Sequence, residues 1–273
     1  MNELSLFSGA GGGLLGTKLL GWRSVGYVEN NTYCQKILAQ RIEDGFLDEA
    51  PIFGDIRQFI KSGAVKKYQG FVEVVTAGFP CQPFSVAGKK KGKDDERNLW
   101  PETLAVIRAV RPRYALLENV PGLLNSGYFP EILGSLAESG FDARWTVLGA
   151  DDVGAPHRRK RLWILADSNS PREQQPTRDN EESRGWSGDS GEDVADSMCG
   201  AREQYGYDGG VGGESELGAD GKSRFGPWPT EPDVGRVAHG LAHRMDRLRA
   251  IGNGQVPRVV ATAWEILTDE SNR

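Results

Sequence analysis

The segment Leu4-Ser5-Leu6-Phe7-Ser8-Gly9-Ala10-Gly11-Gly12-Gly13 reads as a short apolar strand that runs into a glycine turn and then into a helix. In that context backbone amides and a helix N-terminus come close to a ligand. Its spacing is F-x-G-x-G-G, and Leu14 stands where a dinucleotide fingerprint G-x-G-x-x-G would need its last glycine. Outward from this turn, short β-rich runs alternate with amphipathic stretches. Strands are predicted over Leu4–Phe7, Ser24–Val28, Phe71–Thr76, Tyr114–Leu117, Trp145–Leu148 and Leu162–Leu165, and helices over Thr32–Ile42, Glu102–Val110 and Tyr128–Ser139. Glycines or prolines stand at the joints, as at Gly9–Gly13, Gly78/Pro80 and Pro121/Gly122. The pattern predicts an α/β, doubly wound fold with a parallel sheet flanked by helices.

The chain has 273 residues, of which 38% are apolar and 9% aromatic, enough to bury a sizeable core. No run approaches 18 consecutive apolar residues, and Asn2 and Glu3 do not begin a signal peptide, so a soluble, cytoplasmic protein is expected. Cys34, Cys81 and Cys199 form no C-x-x-C pair, which supports neither a disulfide framework nor a zinc knuckle. Any important cysteine is therefore a lone thiol.

The net charge of −5 counts, taken alone, against a nucleic-acid partner. Its distribution reverses that reading. Residues Asp167 to Gly235 hold 16 acidic and 6 basic side chains, which leaves 22 acids and 27 bases for the remainder. Beyond Ala166 the composition turns to Gly, Ser, Asp, Glu, Gln and Arg. Ala166-Asp167-Ser168 recurs as Ala195-Asp196-Ser197. This segment fits either a low-hydrophobicity insertion or a variable recognition region carried on a stable scaffold. A helical pattern returns over Val256–Leu267, with Pro257 suited to its first turn. The expected division is a catalytic and cofactor-binding domain over 1–166, a variable region over 167–240, and a C-terminal segment over 241–273 that rejoins the first domain.

Acidic residues stand at two further strand ends. Glu29 lies twenty residues beyond Gly9, where it could accept hydrogen bonds from ribose hydroxyls, and Asp55 follows Gly54 where it could meet the polar edge of an adenine. Each equally suits a helix N-cap. Gly78-Phe79-Pro80-Cys81-Gln82-Pro83-Phe84-Ser85 places a cysteine between two prolines at the end of a strong strand pattern. Lys89, Lys90, Lys91, Lys93 and Arg97 follow, a run that attracts phosphates and favours a nearby thiolate. Leu116-Leu117-Glu118-Asn119-Val120-Pro121 ends another apolar strand with a carboxylate. Pro156-His157-Arg158-Arg159-Lys160-Arg161 feeds the strand Leu162–Leu165, where alternation would put Arg159 and Arg161 on one face.

The order of F-x-G-x-G-G, Glu29, Asp55, Pro-Cys-Gln, Glu-Asn-Val, Arg-x-Arg and Gly252-Asn253-Gly254-Gln255-Val256-Pro257 resembles the DNA (cytosine-5)-methyltransferase family, from Leu4 to about Leu267. The resemblance implies a Rossmann-like, S-adenosylmethionine-dependent methyltransferase sheet with a smaller, irregular target-recognition region. Cys81 then matches the nucleophile that adds to C6 of an extruded cytosine, Glu118 the residue that contacts N3 and the exocyclic amine, and Arg159 and Arg161 the family's arginine pair. The cofactor pocket would be lined by Phe7, Gly9, Gly11 and Gly12 around the methionine part, with Glu29 on the ribose and Asp55 on the adenine. Asn30, Ile56, Pro80, Leu99 and Asn253 are further expected contacts. The implied partner is double-stranded DNA, bound by a monomer without a metal. Two positions depart from the usual pattern: His157 stands where glutamine is common, and Gly-Asn-Gly-Gln where Gly-Asn-Ala or Gly-Asn-Ser is more usual. His239 and His243 lack the glutamate of H-E-x-x-H. Other readings are a tRNA cytosine-5 methyltransferase of the same fold, a non-catalytic DNA-binding relative, and a nicotinamide enzyme, the last disfavoured by Leu14. If the acidic insert touches bases, Arg172, Arg178, Arg184, Arg202 and Arg224 are its candidate contacts.

Overall fold

The chain forms one sheet from β1 (Asn2–Leu6), β2 (Arg23–Val28), β3 (Ile52–Phe53), β4 (Val74–Ala77), β5 (Tyr114–Asn119), β6 (Phe141–Leu148) and β7 (Arg161–Ser168), in the order β3-β2-β1-β4-β5-β7-β6. The helices are α1 (Gly12–Leu19), α2 (Thr32–Glu43), α3 (Ile56–Lys61), α4 (Trp100–Val110), α5 (Phe129–Glu138), α6 (Arg244–Asn253) and α7 (Pro257–Thr268). This computed structural model describes residues 1–80, 98–168 and 244–269, all within one compact unit. Cys81, the basic run Lys89–Arg97, the insert beyond Ser168 with its arginines, and His239 and His243 lie outside the described residues.

The doubly wound α/β class holds. β1, β2, β3, β4 and β5 pair in parallel, and the strand order reverses between β1 and β4, where sheets of this kind open a crevice at their carboxyl ends. An all-parallel sheet is corrected at one strand, because β7 runs antiparallel to both β5 and β6. The link from β6 to β7 holds only the short turn Asp151–Val153, closed by Ala150 N–H donating to the Arg158 carbonyl at 2.7 Å. Without a crossover helix the chain returns in the opposite direction.

The predicted strand over Phe71–Thr76 begins three residues late. The amides of Phe71 and Val72 both donate to the Tyr68 carbonyl, so that part of the run is still closing a 3-10 turn. β3 and α3 escape the sequence pattern because each is too short to show a period. The helix over 244–253 was not expected either. Its Met245, Leu248 and Ile251 are exposed, so it lacks a buried apolar stripe of its own.

Alternation along β5 divides the core. Ala115 and Leu117 join Leu4, Leu6, Ile107 and Ile132 on one face, while Leu116 joins Trp163, Leu165, Val259 and Val260 on the other. The second face is covered by α7, which starts at Pro257 as expected and also packs on α1. Gly16 makes that crossing possible. A Cβ there would stand 2.6 Å from both the Pro257 carbonyl oxygen and Val260 Cβ.

One charged group sits inside. Glu3 is 1% exposed in β1 and accepts hydrogen bonds from Thr17 (2.6 Å) on α1, Ser24 (3.2 Å) on β2 and Thr76 (2.6 Å) on β4. Burial raises its pKa, opposed by these three hydroxyls. Gly16→Ala is expected to cost about 1–3 kcal/mol by forcing α1 and α7 apart, and denaturant titration of the variant against the parent chain measures it.

Candidate active site

The glycine turn follows β1 directly. Phe7 takes φ 55°, in the left-handed region, so the strand stops at Leu6 rather than at Phe7 as expected. Gly9 is also left-handed, and a Cβ added there would meet nothing within 4 Å. Gly11, left-handed as the N-cap of α1, faces inward instead. Its added Cβ would touch Leu38, Leu47 and Leu14.

Glu29 stands just beyond β2 and is held by backbone amides: Gly9 N–H donates to Oε2 and Asn31 N–H to Oε1, each at 2.7 Å. Both bonds leave acceptor capacity on the carboxylate. Asp55 caps α3, with Oδ1 accepting from Arg57 N–H at 2.7 Å. The N-cap reading of Asp55 is thus correct, and it coexists with a place on the cavity wall.

Glu118 is the next-to-last residue of β5 and its side chain is 13% exposed. Arg161, the first residue of β7, places Nε 2.9 Å from Glu118 Oε1. Burial pushes the Glu118 pKa up, while Arg161, the Gln255 amide and Arg159 pull it down. Arg159 is reached by a different route than expected. It lies before β7 with φ 32°, so strand alternation does not relate it to Arg161. Its guanidinium donates to the carbonyls of Gly252 (2.7 Å) and Gly254 (2.5 Å), fastening the end of α6. Burial, then repulsion from Arg161, lowers its pKa.

These groups surround a cavity of about 540 Å³ at the carboxyl edge of the sheet. It gathers Phe7, Gly9, Glu29, Asn30, Asp55, Ile56, Pro80, Leu99, Glu118, Arg161 and Asn253, but not Gly11, Gly12 or Arg159. Gly12 instead lines a smaller neighbouring cavity with Glu3, Glu118 and Gln255. The wall fits an adenosine-bearing ligand: a glycine without steric obstruction, two carboxylates beside it, and the apolar Phe7 and Ile56. Among the described residues no group of three or more His, Cys, Asp or Glu side chains could hold a metal ion, and no helix is long and apolar enough to cross a membrane.

Three residues went unassigned in the sequence. Asn119 donates from Nδ2 to the Phe79 carbonyl at 3.1 Å, tying the end of β5 to the approach to Cys81. Its place beside Glu118 was the available signal. Gln255 donates from Nε2 to Glu118 Oε2 at 3.3 Å, and only the unusual Gly-Asn-Gly-Gln motif pointed to it. Cys34 also lines the cavity, but burial pushes its thiol up to about 11, so it is a poor source of thiolate near neutrality.

The model of C-5 cytosine-specific DNA methylases matches residues 1–198. The chain belongs to this family. It is 34% identical over 168 residues to the type II methyltransferase M.NgoMIV of Neisseria gonorrhoeae, covering 60% of this chain and 51% of that protein. It is 37% identical over 170 residues to M.Bsp6I of Bacillus sp. (strain RFL6), covering 59% and 50%. The chain thus spans about half the length of these relatives. Among solved structures, a Spodoptera frugiperda DNMT2 variant aligns with a TM-score of 0.50 at 26% identity, covering 66% of this chain and 53% of that one.

Arg161→Ala would leave Glu118 buried without its ion-pair partner. The expected loss is on the order of 2–4 kcal/mol near neutrality and less in mild acid. The sign follows from the raised pKa of Glu118: its protonated form suits the fold, so stability is retained at low pH and lost as pH rises through the folded-state titration. Melting temperatures of variant and parent across pH 5 to 9 would show a gap that widens with pH.

Proposed function

We propose that this chain transfers a methyl group from S-adenosylmethionine to C5 of cytosine within a specific sequence of duplex DNA, through a covalent bond between Cys81 and C6. The observation that carries this reading is the position of Glu118. Its carboxyl, clamped by Arg161, lies on the wall of a cavity that also includes Gly78, Phe79 and Pro80, the residues directly before Cys81.

Cytosine C5 is a weak nucleophile within the aromatic ring. Addition of the Cys81 thiolate to C6 breaks the C5–C6 double bond and makes C5 an enamine carbon. The negative charge that this addition sends toward N3 is met by a proton from the Glu118 carboxyl, whose raised pKa favours the protonated state that donation requires. Arg161 holds that carboxyl through Oε1, and Asn119 fixes the Phe79 carbonyl two residues before the thiol. Phe7, Gly9, Glu29, Asp55 and Asn253 would hold S-adenosylmethionine, which supplies an electrophilic methyl group when bound. The methyl group would pass to C5 as its bond to the cofactor sulfur breaks; the C5 proton then goes to water, Cys81 leaves C6 as a thiolate, and N3 returns its proton to Glu118, which restores the ring.

Access to the base requires its extrusion from the duplex. The residues outside 167–235 carry the excess of positive charge, with Lys89–Lys93 close to Cys81 in sequence, so the phosphate grip is assigned to them. The division into a catalytic domain (1–166), a target-recognition region (167–240) and a returning segment (241–273) is part of this proposal, as is action by a monomer.

Cys81→Ala is expected to abolish methyl transfer while S-adenosylmethionine binding, followed by calorimetry, stays within about threefold of the parent, as removal of a group that reacts with the base and not with the cofactor implies. Retained turnover would overturn the assignment. Bisulfite sequencing of DNA from cells that express the protein should find 5-methylcytosine within one short motif; methylation scattered without a motif, or confined to tRNA, would contradict the substrate.

A further inference from the structure

Gln255 occupies a slot that glycines leave open. Its carbonyl oxygen would stand 2.5 Å from a Cβ on Gly12, its Oε1 would collide with a Cβ on Gly13, and its Nε2 lies 3.0 Å from the Cβ position of Gly78. A side chain at any of the three would push Gln255 aside. Gly12 and Gly13 open α1, Gly78 follows β4, and Gln255 stands two residues before α7, so two segments besides its own close on this one residue. At the end of the slot is Glu118. Gln255 Nε2 donates to Oε2 at 3.3 Å, while Arg161 Nε holds Oε1 at 2.9 Å. Glu118 Oε2 is itself 3.0 Å from the Cβ position of Gly78, so a side chain at that position would crowd the carboxyl as well as Gln255.

We propose that Gln255 is a positioning residue for Glu118: held in the slot formed by Gly12, Gly13 and Gly78, its amide fixes the second oxygen of the carboxyl that Arg161 fixes by the first. This rests on the reading of Glu118 as the acid in methyl transfer. The Gln255 amide cannot titrate, so it tunes its neighbour without competing for the proton. Among the described residues, the charged groups facing Glu118 are Arg161 at the start of β7 and Arg159 just before it; Gln255 is the neutral member of the set. A donor to a carboxylate stabilises the ionised form, so its removal drives the pKa of that carboxyl higher.

Gln255→Met keeps the length of the side chain and removes the donor; Gln255→Glu places a second carboxyl against the first. The pH profile of methyl transfer should have an acid limb set by Cys81 and an alkaline limb set by Glu118. In Gln255→Met the alkaline limb is expected to move up by about one pH unit, the size of one hydrogen bond to a charged group. In Gln255→Glu it should move further, because two carboxyls this close resist double ionisation. The acid limb should stay in place for both. Melting temperature supplies a readout that needs no turnover: the gap between Gln255→Met and the parent should be small at pH 5 and widen toward pH 9 as Glu118 ionises. A gap independent of pH, with an unmoved alkaline limb, would reduce Gln255 to a packing residue and overturn the proposal. A widening gap in a chain that methylates no cytosine would uphold the Gln255–Glu118 coupling and refute the methyl-transfer reading instead.

Discussion

The buried carboxylate of Glu3 is the interaction on which the arrangement of the sheet's centre depends. A carboxyl group deep in a protein is tolerated only when hydrogen bonds replace its water, and the three hydroxyls that do so come from α1, β2 and β4. Those elements must therefore close around β1 together. β1 in turn delivers Phe7 and Gly9 to the cavity, so the direction of the glycine turn is set by contacts at the other end of the strand. Apolar burial supplies most of the driving force on both faces, but it is non-directional; hydrogen bonds to one carboxylate are not.

The site repeats this logic at the carboxyl edge. Glu29, Asp55 and Glu118 are carboxylates at the ends of three different strands, and each is oriented by a donor from another stretch of backbone or side chain: Gly9 and Asn31, Arg57, and Arg161 with Gln255. Such prior orientation lowers the cost of organising the site when a ligand arrives. Phe79 contributes in the same way, packed against Trp100 with ring centroids 5.2 Å apart and tied through its carbonyl to Asn119.

Much of this was legible in the sequence, for identifiable reasons. β1, β2, β5 and β7 announce themselves by apolar runs, and Glu29 and Glu118 by acidic residues at the ends of such runs, while Asp55 is marked only by the Gly54 before it. The resemblance carried by the Pro-Cys-Gln and Glu-Asn-Val segments then pointed to Glu118, Arg161 and nine further residues that line the cavity. What stayed hidden depends on tertiary contact. Glu3 sits near the N-terminus with no local sign that three distant hydroxyls converge on it. Gly11 looks like its neighbours in the turn, yet its Cβ position faces Leu38 and Leu47 while that of Gly9 is open. The alternation that seemed to join Arg159 to Arg161 fails because the strand begins two residues after Arg159, which binds carbonyls of α6 and the residue after it. Gln255 carried only the signal of an unusual motif.

The antiparallel course of β7 has a consequence for how the chain tolerates change. Glu118 and Arg161 sit on neighbouring strands whose ladder runs through Asn119↔Leu162 and Glu118↔Trp163, so their separation is fixed by main-chain pairing and not by the α5–β6 segment between them. Residues can be gained or lost in that excursion without moving Glu118 away from Arg161, provided the strand returns in the same register. A lineage of such chains could thus remodel one flank of its surface freely while this ion pair stayed as it was.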